Sequence, residues 1–411
     1  MKKLLTLLLP LSLLLAACND RNIPNPEPNP DDSTKVSPID TTFVYPTDRW
    51  VGGDISLLPS YEQAKTPYKD AKGKTIDDVV TYVHDSAHWN AARVRLFVNP
   101  VIINPDDNNR QGEVQDLPYV QKLGKRIKDA GMAFMLDFHY SDTWADPTKQ
   151  TIPSAWQNVP QGQVMADTVY QYTKRCLTAL VAAGATPDFI QVGNEISYGM
   201  LWSRKGADMV GPNSSYDDYK ANWEKLSSYL NAGARACREI CPDAKIVIHI
   251  ERTTSPQQCV NYYTYIGKNN VDYDIIGLSY YPFWHGYLDK LRSTLTSLRS
   301  NFPDKQVQIV ETAYYNNYFP TKEQGGTYQT TDKWKANESG QSSYIKDLCT
   351  ELKIHSNVTG LYYWFPEENG NGGSSYNANN IVIDTWINRG LWNPNNHKAY
   401  SGLMSLQNFY N

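Results

Sequence analysis

Eight short apolar runs, rich in β-branched and aromatic residues, recur along the chain between segments with a helical pattern. The helical segments repeat apolar residues every three or four positions, as in residues 118–131 and 219–240. Strands that alternate with helices predict βα units around a parallel sheet. The predicted strands cover residues 50–58, 92–98, 133–140, 188–195, 245–250, 274–281, 306–314 and 360–366.

Eight βα units in one stretch of chain are typical of a closed barrel. We therefore predict an α/β fold, a (β/α)₈ TIM barrel that forms a single domain with enlarged βα loops over residues 42–411. An open, doubly wound sheet is the structural alternative. The sequence contains no glycine-rich phosphate loop that would support that alternative.

The N-terminus has the pattern of an export signal. Two lysines precede an apolar run from Leu4 to Leu15, which is too short to span a bilayer. The run leads to LAAC, ending at Cys18, which resembles a bacterial lipobox. We predict a signal peptide over 1–17, lipidation of Cys18 and a disordered tether over 18–41, with a plain cleaved signal as the alternative. An exported lipoprotein is expected, at the outer membrane or cell surface rather than the inner membrane, with membrane contact only through its anchor.

Charge and composition narrow the class of partner. The net charge is −4, the pI is about 6.0, and no basic cluster stands out, so nucleic acid is an unsuitable partner and an uncharged one is favoured. The 29 Tyr and 11 Trp provide aromatic faces of the kind that hold sugar rings. A monomer is expected. Besides Cys18 there are five cysteines; Cys237 and Cys241 either form a bridge or are unrelated buried thiols.

The predicted strands end in polar residues, and in a barrel these ends meet around one mouth. The period of two places Arg93 with Arg95, and Asp137 with His139, on the same face of their strands. Charged groups that face a barrel interior must be paired or used. The residues at these ends are Asp54, Arg93, Arg95, Asp137, His139, Asn194, Glu195, His249, Glu251, Tyr280, Tyr281, Glu311 and Trp364.

Two of these carboxylates suit a hydrolytic reaction. Glu195 and Glu311 are 116 residues apart, about three βα repeats, so strands four and seven bring them to one mouth. A facing pair of carboxylates is typical of enzymes that hydrolyse glycosides, in which one acts as nucleophile and the other as acid and base. The alternative is that the two carboxylates belong to a structural ion-pair network with no catalytic role.

Five motifs carry a resemblance to a known family: ARVRLFVNP, LDFHYSDTWADP, VGNEISYGMLW, GLSYYPFW and IVETAYY. In order and spacing they resemble glycoside hydrolase family 53, the endo-β-1,4-galactanases of the retaining (β/α)₈ clan, over roughly residues 48–400. The resemblance implies internal cleavage of β-1,4-galactan or type I arabinogalactan side chains of pectin, without a catalytic cofactor. It implies that Glu195 is the acid/base and Glu311 the nucleophile. The implied substrate-binding residues are Asp54, Arg93, His139, Asp142, Trp144, Asn194, Trp202, His249, Tyr281 and Trp364.

The sequence departs from the family pattern at two places. Phe365 stands where members usually have Glu after Tyr-Trp, with Glu367 and Glu368 displaced. The loop after strand seven lacks the acidic, His-containing calcium loop of some bacterial members. The side chains of Asp332, Asn337 and Asn388 could still contribute oxygen ligands, so the sequence leaves open whether a structural Ca²⁺ is bound.

Two other functions fit the same sequence features. Another retaining β-glycanase, such as a mannanase or xylanase, would keep the mechanism and change the sugar. A lipid-anchored, non-catalytic glycan-binding protein would keep the aromatic groove, but it would have no need of two facing carboxylates. The shape of the groove, which decides the sugar, is beyond the sequence.

Overall fold

The fold is described from a computed structural model, which covers residues 43–65, 67–100, 114–319, 328, 330–370 and 388–410. Strands and helices alternate through most of these ranges. The strands are β1 (Trp50–Asp54), β2 (Tyr68–Lys69), β3 (Thr75–Ile76), β4 (Ala91–Leu96), β5 (Ala133–Phe138), β6 (Phe189–Val192), β7 (Lys245–Ile250), β8 (Ile275–Ser279), β9 (Gln306–Thr312) and β10 (Val358–Trp364).

Ten α-helices are found in the same ranges, and the longer ones follow the barrel strands. They are α1 (Leu58–Gln63), α2 (Val79–Asp85), α3 (Leu117–Asp129), α4 (Gln163–Ala182), α5 (Lys220–Ile240), α6 (Pro256–Lys268), α7 (Pro282–His285), α8 (Leu288–Asn301), α9 (Glu338–Lys353) and α10 (Ser401–Ser405).

Eight of the strands close into a barrel in the order β1-β10-β9-β8-β7-β6-β5-β4, and every pair around the ring is parallel. The (β/α)₈ prediction is confirmed, and the doubly wound alternative is wrong because the sheet has no open edge. All eight predicted barrel strands are present, although most end two or three residues earlier than expected. The short antiparallel pair β2–β3 was not predicted, since two-residue strands are too short to show a period.

Alternation along the strands divides the barrel interior into an apolar bottom and a polar top. Ala91, Met135, Phe189 and Val247 belong to a separate apolar cluster within the ring. The residues two positions later on the same strands are Arg93, Asp137, Gln191 and His249, all of them buried. Because side chains two apart share a face, the top layer faces inward as well. A polar layer therefore lies directly under the mouth of the barrel.

The helices pack their apolar stripes against the outside of the ring. In α3, Val120, Leu123 and Ile127 are buried at helical spacing. Asp116 caps this helix, because its side chain accepts a hydrogen bond from the backbone N–H of Tyr119 at 2.9 Å. The predicted helices over 118–131 and 219–240 are thus found as α3 and α5.

The five cysteines of the barrel are free and buried, so Cys237 and Cys241 are separate thiols rather than a bridge. Within the described ranges, no helix combines the length and apolar character needed to cross a bilayer. The predicted signal peptide, Cys18 and the tether lie outside the described residues.

Candidate active site

A cavity of about 600 Å³ opens at the C-terminal ends of the barrel strands. Charged and aromatic side chains share its wall. The lining includes Trp144, Asn194, Glu195, Glu251, Arg252, Tyr281, Trp284, Glu311, Trp364 and Arg389. Both predicted catalytic carboxylates therefore lie in one cavity.

Beneath the cavity lies a layer of buried polar and charged side chains that we call the arginine floor: Asp54, Arg93, Arg95, Asp137 and His139. Arg93 donates to Asp54 at 2.6 Å through Nη1 and to Asp137 at 2.8 Å through Nη2. Arg95 Nη1 donates to the other oxygen of Asp54 at 2.9 Å. Burial disfavours the charge on Asp54, but Arg95 and Arg93 outweigh it and lower the pKa of Asp54 below its ordinary value.

Glu311 is joined to this floor. It lies near the end of β9, and its Oε1 is 3.0 Å from Arg93 Nη2. Its Oε2 accepts a hydrogen bond from the hydroxyl of Tyr281 at 2.8 Å. Burial raises the pKa of Glu311, whereas Arg93 and the Tyr281 hydroxyl oppose that rise. Two donors thus hold its oxygens in place and favour the carboxylate form.

Glu195 enters the cavity from a turn rather than from a strand. β6 ends at Val192, and the chain then bends through Gly193, with φ +87°, and Glu195, with φ +48°. A Cβ on residue 193 would approach Ile196 Cγ2 to 3.0 Å, and its backbone angle favours glycine. A left-handed backbone is costly for Glu, and such strain is found mostly at functional sites. The prediction that the strand runs on to Glu195 is wrong for this reason.

A chain of hydrogen bonds fixes the Glu195 carboxyl. Ser279 Oγ lies 2.6 Å from Glu195 Oε1 and 2.8 Å from His249 Nε2. His249 Nδ1 lies 3.0 Å from Asn194 Oδ1. Burial and the nearby Arg93 lower the pKa of His249 well below its ordinary value, so the ring is neutral and has one N–H. The ring therefore donates with one nitrogen and accepts with the other, which links Asn194 to Ser279.

The two carboxylates are in unequal environments. Burial first, and then the charges of Glu311 and Glu251, raise the pKa of Glu195 well above its ordinary value. The neighbours of Glu195 within hydrogen-bonding reach are uncharged, whereas Glu311 is bonded to a guanidinium. Glu195 is consequently the group that keeps its proton and Glu311 the one that gives it up. Such separated acid and nucleophile roles are what glycosidic cleavage requires.

Aromatic rings form the walls above these carboxylates. Trp144 packs edge to face with Trp364, with ring centroids 6.2 Å apart, and it covers the guanidinium of Arg95 at 4.3 Å. Trp364 in turn packs against Tyr281, with centroids 6.5 Å apart. Trp284 is 43% exposed, the most accessible ring in the cavity wall. These faces offer apolar contact to flat sugar rings.

The structure places the ten predicted substrate-binding residues at three levels. Four of them line the cavity: Trp144, Asn194, Tyr281 and Trp364. Four others are buried beneath or behind it: Asp54, Arg93, His139 and His249. Arg93 lies against Glu311 and donates to Asn194, and His249 lies 3.0 Å from Asn194 Oδ1. Asp54 is bonded to Arg93, and His139 lies 3.1 Å from Asp137. These four side chains are buried, and their contact with the sugar stays a prediction.

The remaining two, Asp142 and Trp202, are set apart from the cavity lining. Asp142 accepts hydrogen bonds from the backbone of Asn99 at 3.0 Å and of Ser154 at 2.8 Å, and so braces the loop after β5. Trp202 is 7% exposed, and its Nε1 donates to the carbonyl of Tyr198 at 3.2 Å. Trp202 therefore packs in the loop after β6, outside the cavity lining, and its role as a stacking platform stays a prediction.

Several cavity residues were not predicted to bind substrate. Glu251 and Arg252 follow β7, Trp284 lies in α7, and Arg389 comes after β10. Arg389 stacks on the rings of Phe283 and Tyr315, at 4.7 and 5.2 Å. Glu251 had a sequence signal, since it follows His249 by two positions on the inward face. Arg389 had none, because its loop shows no period.

The turn after β10 carries the departure from the family pattern. Phe365 has φ +61°, and Glu367 and Glu368 are fully buried behind it. Glu367 Oε1 accepts the backbone N–H of Leu57 at 2.7 Å, and its carbonyl accepts the hydroxyl of Tyr68 at 2.5 Å. Burial, followed by the charge of Asp54, raises the pKa of Glu367 to about 8. These two acids are therefore parts of the packed barrel end and are not in the cavity lining.

The calcium site stays a prediction. In the part of the chain that the structure describes, no three acidic, histidine or cysteine side chains are grouped as metal ligands. Asp332 accepts a hydrogen bond from the Tyr287 hydroxyl at 2.6 Å, and Asn337 caps α9. Asn388 donates to the carbonyl of Tyr318 at 2.7 Å. The three candidates are thus engaged separately, and part of their loop lies outside the described residues.

Comparisons with known proteins agree with this geometry. The profile of Glycosyl hydrolase family 53 matches residues 50–407. An arabinogalactan endo-beta-1,4-galactanase of Cellvibrio japonicus is 32% identical, over 77% of this chain and 80% of that relative. An endo-beta-1,4-galactanase of Bacillus subtilis is 30% identical, over 77% of this chain and 69% of its own. The solved GH53 catalytic domain of Ignisphaera aggregans has a TM-score of 0.72 and 28% identity, covering 91% of this chain and 99% of that one.

Proposed function

The chain belongs to glycosyl hydrolase family 53, and on that premise we propose that it cleaves internal β-1,4-galactosidic bonds of galactan with retention of configuration. Glu311 is the nucleophile and Glu195 the acid/base. The observation that carries this assignment is their unequal setting in one cavity: Glu311 lies 3.0 Å from Arg93, whereas Glu195 is bonded to the neutral Ser279. Galactan is the substrate in the names of the relatives, which supports the same polymer class for this chain.

The first half of the reaction forms a covalent intermediate. A carboxylate oxygen of Glu311 attacks the anomeric carbon C1, and the bond from C1 to the glycosidic oxygen breaks. The proton of Glu195 moves to that departing oxygen, which leaves as a hydroxyl of the shortened chain. Glu311 is then a glycosyl ester and Glu195 a carboxylate.

The second half reverses these roles. A water molecule attacks C1, and its proton passes to the Glu195 carboxylate while the bond from C1 to Glu311 breaks. Glu311 regains its charge, and Arg93 and Tyr281 are already in place to receive it. Two inversions at C1 give net retention.

Azide tests the two roles separately. In Glu195→Ala, azide would take the place of water on the glycosyl ester, and a substrate with a good leaving group should yield a β-galactosyl azide. In Glu311→Ala, azide would attack C1 directly and give the α-anomer. Glu311→Gln should retain its fold and lose several orders of magnitude in turnover. Near-normal turnover of that variant, or identical azide anomers from both alanine variants, refutes the assignment.

The sugar and the mode of attack have their own test. Purified pectic galactan, mannan, xylan and cellulose should be incubated with equal amounts of enzyme. Early release of a ladder of mixed galacto-oligosaccharides agrees with internal cleavage of galactan. Release of galactose alone at early times contradicts the endo mode, and activity confined to mannan or xylan identifies the rival glycanase. Tight binding of galactan without any released product would identify a glycan-binding protein.

We also propose that the enzyme is exported and held at the cell surface by lipid on Cys18. The apolar run and LAAC motif support this location. Because one acyl chain binds membranes only marginally, stable anchoring needs more than one chain. A long tether between Cys18 and the barrel would let the cavity reach polymer outside the cell.

A further inference from the structure

A third carboxylate lines the same cavity as the proposed acid/base. Glu251 follows β7 directly and lines the same cavity as Glu195 and Glu311. It is 9% exposed, so water screens its charge poorly. The two-carboxylate mechanism gives it no task.

Glu251 is held firmly by one oxygen only. Its Oε1 accepts from Ser197 Oγ at 2.7 Å and lies 2.7 Å from a guanidinium nitrogen of Arg252. Arg252 also donates to Ser197 at 3.2 Å and lies over the ring of Tyr198 at 4.4 Å. Glu251 Oε2 is buried and has no hydrogen-bond partner among the described residues. The carboxylate is therefore fixed by Arg252 and Ser197, with one oxygen left uncompensated.

We propose that Glu251 is a positioning residue for the reaction, whose negative charge keeps the proton on Glu195 before cleavage and draws a proton back to it afterwards. The inference rests on the proposed function, since it assumes that Glu195 is the acid/base. It assigns Glu251 no contact with the reacting atoms.

The groups around Glu195 show why a permanent negative charge near it matters for the reaction. The charged groups that act most strongly on it are Glu311, Glu251 and Asp146, all acidic, while Arg252 and Arg389 also line the cavity. Ser279, which is bonded to Glu195, and His249 behind it are neutral. When Glu311 becomes an ester its charge disappears, and so does its effect on Glu195. Glu251 is not consumed, so its charge acts in both halves of the cycle. Glu195 would otherwise be a weaker base at the moment when it must accept a proton from water.

The surroundings of Glu251 allow it to keep this charge. Burial raises the pKa of Glu251 above its ordinary value, whereas Arg252, 2.7 Å away, and the hydroxyl of Ser197 oppose that rise and favour the ionised form. From α6, Cys259 and Tyr262 face it, and burial raises the pKa of both, so neither is charged. Asp146 is the other acidic group near it. Only Arg252 compensates the charge among these neighbours.

A purely structural role is the competing explanation, because Glu251 also ties the loop after β6 to the loop after β7 through Ser197. Four variants separate the two roles. Glu251→Gln and Glu251→Ser remove the charge, Glu251→Asp keeps it, and Ser197→Ala removes the tie while leaving the carboxylate. The thermal midpoint of each variant reports its folding.

The first measurement is the pH profile of kcat/KM on galacto-oligosaccharides, whose alkaline limb reports loss of the proton from free Glu195. Removing one nearby buried charge should move this limb to lower pH by about one unit in Glu251→Gln and Glu251→Ser. At a pH well above the limb, kcat/KM should then fall about tenfold relative to wild type. Glu251→Asp should return the limb towards wild type, and Ser197→Ala should lower kcat/KM at all pH values without moving it.

The second measurement is kcat on an aryl β-1,4-galactobioside with a good leaving group, for which hydrolysis of the ester is rate-limiting. Its acidic limb reports Glu195 as base in the intermediate, and it should move in the same direction, to lower pH, in the two neutral variants. Loss of structure alone would not move both limbs the same way. Unmoved limbs in folded Glu251→Gln or Glu251→Ser, or equal shifts in Ser197→Ala, overturn the inference. Wild-type inactivity on galactan would instead refute the proposed function itself.

Discussion

Replacing the buried Glu367 by Gln should stabilise the protein at alkaline pH. Glu367 is fully buried, its Oε2 has no partner among the described residues, and burial raises its pKa from an ordinary value of 4.5 to about 8. The amide keeps an oxygen that can accept the N–H of Leu57, and it carries no charge at any pH. The variant thus removes the titration and retains the hydrogen bond.

The size of the effect follows from linkage between protonation and folding. Because the folded pKa lies above the unfolded one, the contribution of Glu367 to stability is complete below pH 4.5 and is lost as pH rises through about 8. At about 1.36 kcal/mol per pKa unit, the loss between pH 5 and pH 8 is roughly 3 to 4 kcal/mol. The Gln variant should therefore gain roughly 3 to 4 kcal/mol over wild type on going from pH 5 to pH 8.

Urea denaturation at both pH values measures this difference directly, through the free energies of unfolding of wild type and variant. Comparing the two proteins cancels the other titrating groups. Glu224→Gln is the matched control, since Glu224 is exposed and pairs with Lys220 on the surface of α5; its effect should stay within about 0.5 kcal/mol at either pH. A stability difference between Glu367→Gln and wild type that is the same at pH 5 and pH 8 would show that Glu367 is not a buried, neutral acid.

Three other changes should have distinct results. Tyr281→Phe removes the donor 2.8 Å from Glu311 Oε2, which should lower kcat about 10- to 100-fold and move the acidic limb of kcat/KM to higher pH; an unmoved limb argues against this contact. Cys18→Ala should shift the protein from the membrane fraction to the soluble one, and persistent membrane association would contradict lipidation. Trp144→Ala should lower kcat/KM on short galacto-oligosaccharides more than on polymer, because a long chain gains contacts elsewhere; equal losses would place Trp144 outside the binding path.

Much of the barrel was predictable because its strands are short, apolar and separated by amphipathic helices. The C-terminal ends of parallel strands must meet at one mouth, so the positions of Glu195 and Glu311 in the chain already predicted one shared cavity. Their unequal environments were predictable only in outline. Arg93 and Arg95 were expected at this mouth, where their charge could keep one carboxylate ionised. The contact of Arg93 with Glu311 depends on closure of the barrel, and Ser279 reaches Glu195 from a strand two places further around the ring.

Exposure was the property that the sequence predicted least well. Trp202 and Trp284 both come after the C-terminal end of a barrel strand, yet the side chain of the first is 7% exposed and that of the second 43%. Glu367 is buried because β10 brings it under the loop after β1, a contact across 310 residues. Period and composition describe one element at a time, so they carry no information about which neighbour will cover a side chain.

The arginine floor has a consequence for the balance between activity and stability. Arg93 and Arg95 are matched by Asp54 and Asp137, so ionised Glu311 is one negative charge more than the cations beside it compensate. Formation of the glycosyl ester removes this excess charge, so the charges of the floor are better balanced in the covalent intermediate than in the free enzyme. Replacing Glu311 by Gln should likewise raise the thermal midpoint while it abolishes turnover. A descendant that lost this single charge would keep a sound barrel and its aromatic walls, and selection could retain it to capture sugars rather than to cut them.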